Sequence, residues 1–307
     1  MGEVNVFTSV RFIDQNCFIC GSNIVVQSLS KYNKCSSCKH EVLKSGHEQT
    51  FTLNENLDIK TFKKTSYLDK YKIKTLKKII SHRETSDCRL IDLGSSTGSF
   101  LAHNLDTFAD VTGVEVMAKA ANFAREKYNL HVVSDINELI GPFHYVTAWH
   151  VLEHMPIDAI NSTFEFLRDN LAPKGRILLS VPNSESFQHK IYKTNYAFYD
   201  PPNHLHQFSY SSIRLLLEAK GFKLIKTFNS GPYNYFGHLQ ALLNLITNSH
   251  NHLYYRFKRK SAPTAPLLTL INLAMLPLIA PLGLFLGMLD SFLTNHTGVI
   301  TQCYEKN

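Results

Sequence analysis

Between Cys88 and Phe228, short apolar runs alternate with amphipathic stretches, and this alternation constrains the fold more than any other feature of the chain. The apolar runs predict strands: CRLIDLG, VTGVEV, LHVVSD, FHYVTAWH, RILLSVPN and FKLIKTF. The stretches between them predict helices: SFLAHNLDTFA, AKAANFAREKYN, IDAINSTFEFLRDNLA and SYSSIRLLLEAKGF. Strands that alternate with helices build a mostly parallel, doubly wound sheet, so we expect an α/β fold of the Rossmann-like type.

The loop after the first of these strands, in IDLGSSTGSFL at residues 91–101, is a candidate ligand site. Gly94 and Gly98 stand where a backbone can turn tightly or approach a ligand closely. In a doubly wound sheet, such a loop lies at the carboxyl end of a strand, where backbone amides face bound ligands. Taken alone, the loop also fits an ordinary strand-to-helix turn.

Two acidic residues at the ends of later strands narrow the choice of ligand. Glu115 ends the second strand, where a carboxylate can accept hydrogen bonds from both hydroxyls of a ribose. Asp135 ends the third strand, where a polar side chain can meet an adenine amino group. The loop and the two acids together predict an adenosine-containing ligand.

At this point the sequence resembles the class I S-adenosylmethionine-dependent methyltransferases. The resemblance spans residues 89–228 and a last strand, TGVITQCYEK. The stretches that carry it are LIDLGSSTGSFL, VTGVEVMAKAANFARE, VVSDINEL, YVTAWHVLEHMP, FLRDNLAPKGRILLSVPN and NHLHQFSYSSIRLLLEAKGF. The chain looks most similar to methyltransferases that carry an N-terminal zinc ribbon, which are often associated with bacterial surface-polysaccharide synthesis. A dinucleotide dehydrogenase, the alternative, would prefer G-x-G-x-x-G after the first strand.

The resemblance implies that S-adenosylmethionine binds at the carboxyl edge of the sheet. The implied cofactor-binding residues are Asp92, Gly94, Ser95, Ser96, Gly98, Glu115, Val116, Asp135, Ile136 and His150. Two positions depart from the family pattern. Ser96 stands in place of the usual middle glycine, and we expect binding to survive because serine is small. His144 replaces a common aspartate, and we expect it at the entrance of its strand, away from the chemistry.

Methyl transfer to a hydroxyl needs a group that takes the hydroxyl proton. The candidate catalytic residues are His150, Glu153 and His154 in HVLEHMP and His204 in NHLHQFS, with His206 as a weaker candidate. Three interpretations stay open: Glu153 and His154 only orient their loop, His154 or His204 is a general base, or the cluster holds a divalent ion. The last resembles the Glu/His cluster of small-RNA 2′-O-methyltransferases. The same letters spell an inverted zinc-protease motif, H-x-x-E-H, which Pro156 cuts short.

The four cysteines near the N-terminus predict a zinc ribbon. Cys17, Cys20, Cys35 and Cys38 form a C-x2-C-x14-C-x2-C pattern, in which each pair can point two thiolates at one ion. The start of the chain, MGEVNVFTSVRFIDQN, lacks the pattern of a signal peptide, which favours zinc over disulfides. A closed four-cysteine site is structural rather than catalytic. We expect Cys88 and Cys303 to be core thiols.

Residues 261–289 carry no charged side chain and follow the basic stretch YYRFKRK. Their length is compatible with a membrane span. FKLIKTF and TGVITQCYEK should pair in one sheet, however, and Pro277 and Pro281 should break a single straight helix. We therefore expect a helical hairpin or interfacial helices that contact a membrane through residues 254–289, with lipid phosphates held by Arg256, Lys258, Arg259 and Lys260. The alternative is a buried lid or a dimer surface.

These features divide the chain into four predicted regions. They are a zinc ribbon (1–45), a linker with an amphipathic helix over 61–82 (46–88), a methyltransferase domain (89–230 and 296–307) and an apolar insertion (231–295). The lysines of the amphipathic helix are expected to form a solvated face. The predicted function is methyl transfer to a hydroxyl of a sugar or lipid-linked glycan, in the cytoplasm or peripherally on the inner membrane face.

Three alternative functions stay open. The acceptor could be a lipid-soluble, quinone-like small molecule or a nucleic acid, and the chain could be a non-catalytic adaptor. The net charge of +7 permits anionic partners. The sequence shows no evident stripe of aromatic and basic residues of the kind that would favour nucleic acid. The sequence leaves the acceptor atom and the oligomeric state open.

Overall fold

The computed structural model describes residues 16–28, 30–44, 67–80, 85–258, 265–293 and 297–307. Within them the strands are β1 (Ile24–Val25), β2 (Tyr32–Cys35), β3 (Glu41–Leu43), β4 (Arg89–Leu93), β5 (Asp110–Val114), β6 (His131–Val133), β7 (Phe143–Trp149), β8 (Leu171–Pro182), β9 (His206–Gln207), β10 (Phe222–Phe228) and β11 (Val299–Lys306). The helices are α1 (Tyr67–Lys77), α2 (Ser99–Ala102), α3 (Ala118–Tyr128), α4 (Ile157–Asn170), α5 (Phe187–Tyr192), α6 (Tyr210–Ala219), α7 (Gly231–Thr247), α8 (His252–Lys258) and α9 (Pro266–Leu293).

Seven of these strands form one sheet in the order β10-β11-β8-β7-β4-β5-β6. β4 pairs in parallel with β5 and β7, and β6 and β8 extend the parallel set on either side. β11 is antiparallel to both of its neighbours, β8 and β10. The predicted mostly parallel α/β sheet is therefore confirmed. The two strands that flank the apolar insertion are paired neighbours, also as predicted.

Helices cover both faces of the sheet because alternate strand residues point to opposite sides. On one face, Ile91 lies in a core with Phe164 of α4. On the other face, Leu90 packs with Leu76 of α1 and Ala124 of α3. Leu76 is fully buried, which places the predicted apolar face of α1 in this second core. Residues 61–66 and 81–82 of that predicted helix lie outside the described residues.

The helix predicted over residues 99–109 is shorter than expected. α2 ends at Ala102, and turns complete the path to β5. The reason is Asn104, whose side-chain amide donates to the carbonyl of Phe100 at 2.7 Å while its own N–H bonds to Leu101. Asparagine side chains compete in this way with the regular helical hydrogen bonds.

β1, β2 and β3 form a second, small antiparallel sheet, and β9 joins it as the fourth strand. Glu41 and Val42 of β3 pair with Gln207 and His206 of β9. The N–H of Leu43 donates to the carbonyl of Leu205 at 2.9 Å. The cysteine-rich segment therefore shares a sheet with a loop of the main domain.

The insertion between β10 and β11 forms α7, α8 and α9. α9 packs along α7, where Gly287 fits so closely that a Cβ there would lie 2.2 Å from a ring carbon of Tyr235. α9 runs unbroken through Pro277 and Pro281, so the prediction that these prolines break the helix is wrong. Each internal proline costs about 3 kcal/mol. The packing of α9 against α7 stabilises the helix against that cost.

Among the described residues, α9 is the one helix long and apolar enough to cross a membrane. Its span Pro266–Phe292 has a hydropathy of 2.1, and only 17% of its most apolar window is buried. Length and composition alone do not distinguish a spanning helix from one that lies on a membrane surface or against another protein.

Candidate active site

The loop between β4 and α2 depends on left-handed backbone at Gly94 (φ 64°), Ser96 (φ 50°) and Gly98 (φ 75°). A Cβ on Gly94 would lie 2.6 Å from Val151, and one on Gly98 would lie 2.5 Å from Leu130. Glycine is therefore required at both positions for steric as well as conformational reasons. Ser96 adopts the same backbone region with a side chain, which serine does at some cost.

Glu115, at the end of β5, locks this loop in place. One carboxylate oxygen accepts a hydrogen bond from the N–H of Ser96 at 2.8 Å, and the other accepts one from the N–H of Met117 at 2.7 Å. The side chain is buried, and burial raises its pKa. A carboxylate has about four acceptor positions, so two remain for donors on a ligand.

Asp92 lies at the same edge, on β4 beside Thr147 of β7. The Thr147 hydroxyl donates to its carboxylate at 2.5 Å. Burial raises the pKa of Asp92 to about 7, although Lys72 and the bond from Thr147 oppose the shift. Lys72, on α1, also lies 5.6 Å from the centre of the Trp149 ring and 5.9 Å from that of Phe100. This lysine therefore faces the site, unlike the solvated face expected of its helix.

The other residues assigned to the cofactor from the sequence occupy different environments. Ser95 is buried, and its hydroxyl points at Gly113 rather than outward, so its backbone is what it can offer a ligand. Val116 is exposed, whereas Ile136 is buried in the core beside the site. Asp135 is exposed and accepts hydrogen bonds from the backbone and side chain of Asn137, both at 2.9 Å, which cap the following turn.

His150 follows β7 with a left-handed φ of 57° and lies among aromatic rings. Its ring stacks on Phe198 with centres 5.6 Å apart, and its centre lies 4.6 Å from that of Tyr233 on α7. Tyr71 of α1 approaches Tyr233 at 5.7 Å. The sequence did not assign Tyr71, Phe198 or Tyr233 to the site, because their elements meet only after folding.

Glu153, His154 and His204 form a compact cluster next to His150. One donor atom from each of the three lies within 4.8 Å of the others. The carbonyl of Glu153 accepts from the N–H of Leu205 at 2.7 Å, which ties the turn after β7 to the loop before β9. Glu153 and His154 are therefore neighbours of His204, which lies about fifty positions further along the sequence.

The hydrogen bonds of this cluster fix the tautomers of its histidines. Nδ1 of His154 lies 2.8 Å from the carbonyl of Asn203, and Nδ1 of His204 lies 2.9 Å from that of Phe198. A carbonyl only accepts, so each Nδ1 carries a proton, and in the neutral form of the ring Nε2 then keeps a lone pair. Burial, with His154 nearby, lowers the pKa of His204 to about 4, which leaves it neutral at pH 7.

Glu153 is fully buried, yet it stays ionised. Burial raises its pKa, but the hydrogen bond from Nδ1 of His150 at 3.1 Å and the nearby histidines outweigh that effect and leave the pKa below its usual value. Its Oε2 has no hydrogen-bond partner among the described residues. His206, the weaker candidate, is buried and bonds to the carbonyl of Met155 at 3.1 Å, which fits a structural role.

The four N-terminal cysteines also come together. The sulfurs of Cys17 and Cys38 are 3.7 Å apart, and those of Cys20 and Cys35 are 3.4 Å apart. Zinc–sulfur bonds of about 2.3 Å in a tetrahedron separate the sulfurs by about 3.8 Å. The four residues therefore fit a zinc ion. Cys88 and Cys303 are buried in the core of the sheet, as expected.

The model of a family described as a methyltransferase domain matches residues 64–227. The chain belongs to this methyltransferase family. No curated protein matches it in sequence. Methyltransferases of this fold use S-adenosylmethionine as the methyl donor, and the edge formed by Asp92, the Gly94–Gly98 loop and Glu115 fits that cofactor.

Solved structures share the fold of the methyltransferase at low identity. A protein assigned as a sarcosine dimethylglycine methyltransferase from Galdieria sulphuraria is 12% identical, with a TM-score of 0.50 over 78% of this chain and 84% of that one. A cyclopropane synthase from Mycobacterium tuberculosis is 12% identical, with a TM-score of 0.47 over 72% and 78%. Phosphoethanolamine N-methyltransferase 2 from Haemonchus contortus is 16% identical, with a TM-score of 0.47 over 77% and 52%. Of these three, the structure with a TM-score of 0.50 supports a shared fold and nothing beyond the fold.

Proposed function

We propose that the methyltransferase acts on a hydroxyl of a sugar or lipid-linked glycan. The observation that carries this proposal is the cluster of Glu153, His154 and His204 beside His150, at the strand end where the cofactor edge and the aromatic rings meet. The neutral imidazole of His204 and the carboxylate of Glu153 are hydrogen-bond acceptors, and a hydroxyl of the methyl acceptor is a hydrogen-bond donor that must lose its proton.

When bound, S-adenosylmethionine supplies a methyl group that is already activated on a sulfonium. The chain therefore has to orient the acceptor, exclude water and take up a proton. His150, Tyr233 and Phe198 form an aromatic cluster, and the half-buried ring of His150 is the member that a sugar ring could contact. With no metal ion in the cluster, His204 is our choice for the general base, because burial keeps it neutral and the carbonyl of Phe198 fixes its Nε2 as the accepting atom.

The His204→Gln variant tests this role. We expect kcat to fall by roughly 100-fold or more while the affinity for S-adenosylhomocysteine stays unchanged. Because the pKa of His204 is lowered to about 4, the base is neutral at pH 7, and its protonation should lower kcat of the wild type, measured at saturating S-adenosylmethionine, as the pH falls toward 4. His131→Gln, at an exposed histidine on β6, is the control for loss of a ring. An unchanged kcat in His204→Gln would exclude this base.

The acceptor class is tested with methyl-labelled S-adenosylmethionine, the purified chain and fractionated extract of the source organism. The fractions are lipid, lipid-linked glycan, polysaccharide, nucleic acid and protein. Label in a glycan fraction that depends on the enzyme supports the proposal. Label in simple lipid would favour a lipid-soluble small molecule as the acceptor, and label in nucleic acid would favour nucleic-acid methylation. Label in no fraction, without cofactor binding, would leave the adaptor hypothesis.

We also infer that α9 rests on a membrane surface rather than crossing it. Both ends of the insertion are tied to the same domain. Near the start of α9, Asn251 donates to the carbonyl of Ala197 at 2.7 Å and Tyr255 donates to Asp200 at 2.7 Å. Near its end, the carboxylate of Asp290 accepts from Gln188 at 2.9 Å. These contacts at both ends of the insertion support a helix that lies along a membrane surface.

The outer face of α9 suits an interfacial position. Leu278, Leu282, Phe285, Met288 and Phe292 are exposed by 46% to 92% and recur every three or four residues, which places them in one apolar stripe. Basic residues flank this stripe at both ends. Arg256 lies on α8, and Lys70, Lys74 and Lys78 line an open groove that also includes Tyr235, the neighbour of Gly287. Lys258 carries no described side chain, and Arg259 and Lys260 lie outside the described residues.

Charged substitutions on this stripe test membrane docking. The double variant Leu278→Glu and Phe285→Glu should lose co-sedimentation with vesicles that contain an anionic phospholipid, because carboxylates are repelled by the lipid phosphates and resist burial in acyl chains. Ile140→Glu, at a site 81% exposed on the β6 to β7 connection, is the matched control and should still bind. Full binding by the double variant contradicts the proposal. Conversion of a wild-type dimer to a monomer would instead assign the stripe to a dimer surface.

A further inference from the structure

We propose that Glu153, His154 and His204 form a binding site for one divalent cation. The argument starts from the donor set. Two imidazole nitrogens and one carboxylate oxygen lie within 4.8 Å of one another. Metal–ligand bonds of about 2.0–2.2 Å place ligand atoms about 3–4 Å apart, so side-chain rotations of about 1 Å would close the three groups around an ion. This set is one that Mn²⁺, Fe²⁺ and Zn²⁺ accept.

The protonation pattern of the cluster is the one that a metal site needs. Metal-ligating histidines donate their second ring N–H to a carbonyl or carboxylate, which fixes the ring and its tautomer. Both histidines meet this condition, because Nδ1 of His154 bonds to Asn203 and Nδ1 of His204 bonds to Phe198. Their Nε2 lone pairs are the ligand atoms.

The carboxylate supplies the second, independent observation. Glu153 is fully buried, and its Oε2 has no hydrogen-bond partner among the described residues. An unpaired carboxylate oxygen in the interior is costly unless a positive group meets it. Its other oxygen accepts from His150 at 3.1 Å, so the side chain is held in position while Oε2 stays available. A cation beside Oε2 would give this buried carboxylate oxygen a positive partner.

The proposed role of the ion deepens the proposed function and rests on it. Three protein ligands leave coordination positions for an acceptor hydroxyl, whose pKa the cation lowers. The acceptor oxygen then loses its proton and forms the bond to the methyl carbon. The bond from that carbon to sulfur breaks with its electron pair, so the sulfonium becomes a thioether. With both imidazoles coordinated, the proton goes to solvent or to His150, whose Nε2 has no partner among the described residues. The ion thus replaces His204 as the group that ionises the hydroxyl.

Mn²⁺ titrated into the full chain that carries one equivalent of zinc, which the four thiolates bind in preference to the cluster, tests the site, with free Mn²⁺ measured by electron paramagnetic resonance. Mn²⁺ is the probe because its preference for oxygen and imidazole ligands keeps it from the thiolates of the cysteine cluster. We expect one equivalent to bind and pulsed spectra to contain nitrogen couplings from two imidazoles. Glu153→Gln and His204→Gln should each weaken the affinity by roughly 100-fold or more, since even outer-shell changes cost 10–100-fold. His131→Gln should leave it unchanged.

Unchanged affinity for S-adenosylhomocysteine shows that the variants are folded. Equal Mn²⁺ affinity in the wild type and both cluster variants, or spectra without imidazole couplings, would overturn the inference. Methyl transfer by a wild type that binds no Mn²⁺ and gains no rate from divalent ions would also overturn it, while the proposed function would stand. Binding with the expected ligand dependence but no labelled acceptor would support the site and count against the proposed function.

Discussion

The Glu115→Ala variant should lose measurable binding of S-adenosylmethionine and, with it, all methyl transfer. Two effects combine. The variant removes the acceptor for two ribose hydroxyls, each worth about 1.5–3 kcal/mol for a hydrogen bond to a charged group, which corresponds to roughly 100-fold or more in Kd. It also removes the carboxylate that accepts hydrogen bonds from the N–H groups of Ser96 and Met117, so the cofactor loop is no longer held in position.

Isothermal titration with S-adenosylhomocysteine measures this loss. Glu126→Ala, at an exposed glutamate on α3, is the matched control and should bind normally. Glu115→Gln should also bind S-adenosylhomocysteine weakly. Its amide nitrogen would face a backbone N–H group from which the carboxylate of the wild type accepts a hydrogen bond. Since burial raises the pKa of Glu115, we further expect binding to weaken as the pH falls and the carboxylate becomes protonated. Normal binding by Glu115→Ala would mean that the ribose lies elsewhere.

Local patterns were sufficient to predict the sheet and its carboxyl edge. Each strand is a short apolar run, and Asp92 and Glu115 stand at strand ends that topology places side by side. β4 pairs in register with β5, for example Asp92 opposite Gly113. Residues at strand ends converge because parallel strands end at one edge, so their proximity follows from the strand order.

Other features depend on contacts between distant segments, which a single sequence does not display. β9 has only two residues, so no periodicity marks it, and its pairing with Glu41 and Val42 joins positions more than 160 residues apart. α9 stays helical through its two prolines because α7 packs along it. The local sequence around the prolines does not show this packing. His154 and His204 donate the hydrogen bonds that fix their tautomers to backbone carbonyls, and the positions of these carbonyls depend on the folded loop.

Because β9 pairs with β3 of the cysteine-rich segment, we expect a Cys35→Ser variant to affect both zinc binding and methyl transfer. Cys35 is buried at the end of β2, and its loss would leave three thiolates for the metal. A short segment with so small a core depends on its ion for folding energy. We therefore expect zinc to be released and β1 to β3 to lose their order, while the cofactor domain, with its own two cores, stays folded.

Loss of order in β1 to β3 should also displace residues on the acceptor side of the active site. The hydroxyl of Tyr32 on β2 donates to the carbonyl of His204 at 2.8 Å, and the N–H of Leu43 on β3 donates to the neighbouring carbonyl of Leu205 at 2.9 Å. Without these bonds His204 is no longer held beside Glu153. A displacement of about 1 Å at a reacting group costs roughly 100-fold in rate, so methyl transfer should fall by at least that factor.

Cofactor affinity should not change, because neither Glu115 nor the Gly94–Gly98 loop bonds to β1, β2 or β3 in the described part of the chain. Zinc content, S-adenosylhomocysteine affinity and methyl transfer are measured on one preparation. Cys88→Ala, at an equally buried cysteine beside β4, is the matched control and should retain zinc. Unchanged zinc in Cys35→Ser would refute the metal site. Loss of zinc with full methyl transfer would show instead that His204 keeps its place, or its role, without the ribbon.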